Sequence, residues 1–96
     1  MRYSERKMNS MIDDLRKKMD GIDAELIKLF AKRMNLSKKI GKEKKASDVE
    51  VHQKTREIEV LDKAKLLGNT LGLSDDFVSD VYSTILSESR RIQNDT

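Results

Sequence analysis

The stretch MNSMIDDLRKKMDGIDAELIKLFAKRMNLSKKIGKEK, residues 8–44, decides how this chain folds. Apolar residues recur at Met8, Met11, Leu15, Met19, Ile22, Leu26, Leu29, Leu36 and Ile40, mostly in steps of three and four. That is the spacing of one apolar stripe on an α-helix. The interval from Leu29 to Leu36 passes through Arg33, and the position four past Ile40 is Lys44. Two cations therefore stand where the period asks for hydrocarbon. A charge held away from water is costly unless it is paired, so the pattern predicts an anion to meet them. Gly21 and Gly41 fall inside the stretch; each costs ~1 kcal/mol relative to Ala without interrupting the period. At ~1.5 Å per residue the helix should be roughly 55 Å long. A compact monomer of this size should be only about 30–35 Å across. A second copy is expected to cover the stripe, giving an intertwined homodimer with the long helices packed together.

The remainder of the chain is also helical in pattern. Residues 1–7 are polar with no period beyond Tyr3, and read as a frayed or disordered start before a single domain at 8–96. The period is lost over residues 45–51, where Ser47 and Glu50 have the spacing of a capping box, so a second helix could begin there. Its apolar face reads Ile58, Leu61, Ala64 and Leu67 with Val60 beside it, and Gly68 stands where a C-cap glycine belongs. After a turn containing Gly72, Ser74 is a suitable N-cap, and Asp75 and Asp76 suit a first helical turn. The third helix carries Val78, Tyr82, Ile85 and Ile92, widened by Phe77, Val81 and Leu86. The expected fold is all-α: one long, one short and one medium helix per chain.

Composition narrows the function classes. The 96 residues include no Pro and no Cys, which favours helix and excludes disulfides and thiolate metal sites. Twenty basic residues face 17 acidic ones, a mixed surface that gives little support for nucleic-acid binding. No apolar run exceeds three residues, so no membrane span or signal peptide is expected, and a soluble cytoplasmic protein is.

Polar residues also interrupt the other stripes. On the third helix the series Val78, Tyr82, Ile85 continues through Ser89 to Ile92 or Gln93. The second helix opens its apolar face with Arg56 and Glu57. Each position has an ordinary explanation. Arg33 could snorkel to water or pair with an acid across a dimer. Lys44 ends a basic run from Lys38 to Lys45. Ser89 could bond its own backbone. Arg16, beside Leu15 at the stripe edge, could be a surface residue, and the lone His52 is assigned no role. Their coincidence on core-facing positions is what makes a small-molecule pocket the better reading. Several cations with one carboxylate, one hydroxyl and one amide suit a substrate with two or more carboxylates, bound bidentately by Arg. No nucleophile–base pair, metal cluster or glycine-rich phosphate loop is present, so the chemistry would rest on positioning and electrostatics, with no cofactor and no metal.

Taken together the residues resemble the all-helical chorismate mutase family, over nearly all of residues 11–93. Leu15–Arg16 through Ile22–Asp23 is similar to the family's opening. Leu29 to Arg33, and Ile40–Gly41 to Lys44, match its "L-x-x-x-R" and "I-G-x-x-K". Arg56–Glu57 matches its "R-E", and Ile85, Ser89 and Gln93 its "I-x-x-x-S-x-x-x-Q", in register throughout. The resemblance implies conversion of chorismate to prephenate on the route to phenylalanine and tyrosine. It implies that Arg33, with Arg16 from the partner subunit, holds the two carboxylates and that Ser89 assists one of them. It implies hydrogen bonds from Lys44 and Gln93 to the ether oxygen, Glu57 on the ring hydroxyl, and Arg56 supporting the carboxylate side. One departure stands out: Gln53 occupies the place of the family's usual Asp, and an amide caps a helix less well. An amide at Gln93 needs no proton to donate, so no acidic optimum is expected. With no dehydratase or dehydrogenase segment in the chain, a monofunctional enzyme is expected. Alternative readings are an isochorismate–pyruvate lyase on the same scaffold, a non-catalytic sensor of an aromatic amino acid, and a basic helical module for nucleic acid or protein using the run from Lys38 to Lys45.

Overall fold

Strong helix formers and the lack of proline leave the backbone free to hydrogen-bond locally along most of its length. The computed structural model describes residues 3–51 and 53–96, so Met1, Arg2 and His52 lie outside it. Its helices are α1 (Tyr3–Ala46), α2 (Lys54–Thr70) and α3 (Asp75–Asn94), with no strand among the described residues. α1 starts ahead of the apolar period, taking in residues 3–7. Glu5, Arg6 and Lys7 there are good helix formers, and Glu5 lies in the first turn, where an acid complements the helix dipole. A helix can thus outrun its apolar stripe.

The described chain divides into two compact units, one up to Arg33 and one from Met34 to Thr96, with α1 running through the division. In the first unit the stripe is uncovered. Met8, Met11, Leu15, Met19, Ile22, Leu26 and Leu29 are exposed, from 44% at Leu26 to 61% at Met8. An added Cβ at Gly21 would meet nothing within 4 Å. Around that glycine runs an open apolar groove along Lys18, Ile22, Leu26 and Leu29.

The second unit holds the end of α1, α2 and α3. Its buried apolar residues are Val78 and Ile85 of α3, with Val60, Leu61, Ala64, Val81, Tyr82, Leu86 and Ile92 half-buried. The expected face of α3 is therefore the buried one, except for Phe77, which is exposed. That of α2 is rotated: Ile58 and Leu67 are exposed, whereas Glu57, Leu61, Ala64 and Gly68 turn inward. Gly68 is the cause. A Cβ there would lie 2.8 Å from Val78 Cγ2, so this glycine lets α2 and α3 meet closely and is not a C-cap. The cap falls to Gly72 at φ 83°, with Leu73 N donating to Gly68 O at 2.8 Å and Gly72 N to Asn69 O at 3.2 Å, a Schellman closure. Ser74 caps α3 as expected, its hydroxyl accepting from Phe77 N.

The Ser47–Glu50 capping box does not form. Ser47 N donates to Glu43 O, continuing the turns of α1, and Asp48 takes the left-handed conformation at φ 56°. Val49 N then donates to Lys44 O at 2.8 Å, which ends the helix. Asp tolerates that backbone better than most residues. α2 begins later, at Lys54, with Gln53 as an N-cap whose side chain makes no capping bond.

Candidate active site

Ser37, Gly41 and Lys44 are spaced four and three apart, so they share one side of α1. That side meets the end of α3. A Cβ at Gly41 would lie 2.8 Å from Gln93 Cα and 3.0 Å from Gln93 O, so only glycine allows this approach of the two backbones. Gly41, a cost to the isolated helix, is what brings Lys44 to Gln93.

The polar groups there form a continuous chain. Lys44 Nζ donates to Gln93 Oε1 at 2.9 Å and to the Val51 carbonyl at 2.8 Å. An ammonium has only donors, so it fixes the amide with its oxygen toward Lys44. Gln93 Nε2 then donates to Ser89 Oγ at 3.3 Å. Ser89 Oγ lies 2.5 Å from Ser37 Oγ, and both serines are buried. The remaining capacity is notable. Lys44 keeps one N–H and Gln93 keeps one. Lys44 is half-buried and, among the described residues, no carboxylate pairs with it; its partners are neutral oxygens.

Glu57, half-buried at the start of α2, forms an ion pair with Arg90 of α3. Arg56 is exposed and reaches Glu59 at 3.4 Å, and Gln53 is exposed at the helix start. Arg16 and Arg33 belong to the first unit. Arg16 is exposed, 3.9 Å from Asp13. Arg33 is half-buried and has no ion pair among the described residues. Of the eight candidate residues, the second unit thus joins Lys44, Ser89 and Gln93 directly. Two partners were not anticipated, Ser37 and Arg90. Ser37 had a signal, because it lies four residues before Gly41 and seven before Lys44; Arg90 had none. Arg91, on the solvent side, is held above its ordinary value, chiefly by its hydrogen bond to Glu88 and then by Asp95, and stays cationic. Among the described residues no cluster of His, Cys, Asp and Glu could hold a metal ion. No described helix is long and apolar enough to cross a membrane.

A helical unit whose cation and amide each keep an N–H in reserve, beside a buried pair of hydroxyls, can receive an oxygen-rich ligand. Residues 15–94 match the family described as chorismate mutase type II, and the chain belongs to that family. It is similar to the T-protein of Haemophilus influenzae, 36% identical over 83 residues, which are 86% of this chain and 22% of that protein. It is also similar to the T-protein of Enterobacter agglomerans, 30% identical over 81 residues, 84% of this chain and 22% of the relative. The chain thus spans about a fifth of the length of these relatives.

Proposed function

We propose that this chain is a chorismate mutase, an isomerase that rearranges chorismate to prephenate in aromatic amino-acid biosynthesis. The observation that carries the reading is the half-buried Lys44 ammonium, held by two neutral oxygens beside an amide with an N–H to spare. In the rearrangement one ether C–O bond breaks while one C–C bond forms within the same molecule. No proton or electron has to be supplied, but the ether oxygen gains negative charge. The free N–H groups of Lys44 and Gln93 suit that oxygen, and donors fixed in advance stabilise such charge without reorganising. Ser89 and Arg33 would hold the carboxylates, and Glu57, kept in place by Arg90, would accept from the ring hydroxyl. Arg56 and Gln53 would contribute at the opening of α2.

Arg16 would come from a second copy. The uncovered stripe of α1 supports an intertwined homodimer, in which residues 8–96 of two chains together make the working domain. The chorismate dianion is then the small-molecule partner, and neither nucleic acid, membrane nor cofactor is needed. We place the enzyme in the cytoplasm, where a biosynthetic isomerase would meet its substrate.

The test is loss of chorismate absorbance on adding purified protein, with prephenate identified as product. Lys44→Ala should lower kcat/KM by at least ~10²-fold, the usual effect of removing one donor to a developing oxyanion. An inert wild-type protein sinks the reading, and pyruvate released from isochorismate would replace it with a lyase. Turnover that survives Lys44→Ala would instead overturn the role given to that lysine.

A further inference from the structure

Ser37 plays no part in the mechanism above, yet it is the most buried polar side chain among the described residues, at 3% exposure. The hydroxyl it meets is that of Ser89, 52 residues away in sequence and 2.5 Å away in space. A hydroxyl has one proton and two lone pairs. One lone pair of Ser89 already receives Gln93 Nε2. Two arrangements remain for the serine pair. With Ser89 as donor, its single proton is used on Ser37, and it can offer a ligand only a lone pair, which repels a carboxylate. With Ser37 as donor, both lone pairs of Ser89 are filled, and its proton must point to a third group. A bound carboxylate oxygen favours the second arrangement, because it attracts that proton.

We propose that Ser37 is a positioning residue that makes Ser89 an obligate hydrogen-bond donor to a substrate carboxylate. Through Ser89 it also steadies the Gln93 amide, whose other N–H is free for the ether oxygen. The inference rests on the chorismate mutase reading and names the device by which that site orients its hydroxyl. Ser37 itself does not touch the substrate.

The experiment is a double-mutant cycle on the full chain: wild type, Ser37→Ala, Ser89→Ala and both together, with kcat and KM for chorismate and thermal unfolding of each. Ser37→Ala should raise KM about five- to tenfold, the scale of one hydrogen bond. Added to Ser89→Ala it should raise KM no further, because its effect passes through that hydroxyl. A merely structural serine would lower the unfolding temperature and the active fraction, leaving KM unchanged. Additive losses in the two single variants, or an unchanged KM in Ser37→Ala, would overturn the proposal while leaving the mutase intact. A wild-type protein that leaves chorismate untouched overturns both, and is seen before any variant is compared.

Discussion

In the proposed site, an amide rather than an acid at Gln93 should set how activity responds to pH. Its oxygen is taken by Lys44 and one N–H by Ser89, so the second N–H is a donor at any pH. Gln93→Glu replaces that donor with a carboxylate, which donates only when protonated. The neighbouring Lys44 ammonium favours the charged carboxylate and lowers its pKa. The variant should therefore lose activity steeply at neutral pH and recover part of it as pH falls, while wild type stays flat over the same range. Steady-state kcat/KM against pH checks this; a variant insensitive to pH would remove Gln93 from contact with the reacting oxygen. Ser89 and Lys44 could be picked out as polar breaks in an apolar period. Arg90 could not, since nothing local marks an arginine that will meet Glu57 from another helix.

Among the elements, the pairing of α1 with α3 turns on one missing methyl group. At Gly41 an added Cβ would press on the Gln93 backbone, which cannot rotate away as a side-chain tip could. Gly41→Ala gains ~1 kcal/mol of helix propensity, but overpacking of this kind costs ~1–3 kcal/mol. The net expectation is a loss of about 1 kcal/mol, read by denaturant unfolding. Activity should fall more, on the order of tenfold or above, because displacing Gln93 by even 1 Å disturbs the alignment of donors. A variant as active as wild type would show that the α1–α3 approach is not what sets the site. Gly68 against Val78 makes the same kind of contact between α2 and α3. It explains why the inward face of α2 is centred on Leu61, Ala64 and Gly68 and not on the bulkier Ile58 and Leu67.

For the whole molecule, the exposed stripe is the feature that most needs a partner. Seven large apolar side chains of the stripe, with Ile12 and Ile27 beside them, lie open to water in the first unit, far more than a helix of a finished monomer usually leaves so. If a second copy covers them, stability is tied to assembly, and the unfolding temperature should rise with protein concentration. On the proposed homodimer, Leu26→Asp should leave a monomer in sedimentation analysis and abolish the proposed chorismate turnover, since Arg16 of a second copy would no longer be supplied. A wild-type monomer whose unfolding temperature does not change with concentration would defeat the homodimer.

Three helices, the Ser74 cap and the buried face of α3 were all legible in the linear order of residues, because each depends on neighbours within about one turn. Arg33 and Lys44 stood out for the same reason, as charges standing in an apolar period. Where α2 begins was not: the turn after Ala46 closes through Asp48 in the left-handed region, which outcompetes the Ser47–Glu50 box. Nor was the role of Gly41, Gly68 and Ser37. Periodicity reports which face of a helix is apolar, but not which part of that face another helix will touch. Close approach belongs to pairs of surfaces, and only the packed unit brings Gly41 to Gln93, Gly68 to Val78 and Ser37 to Ser89.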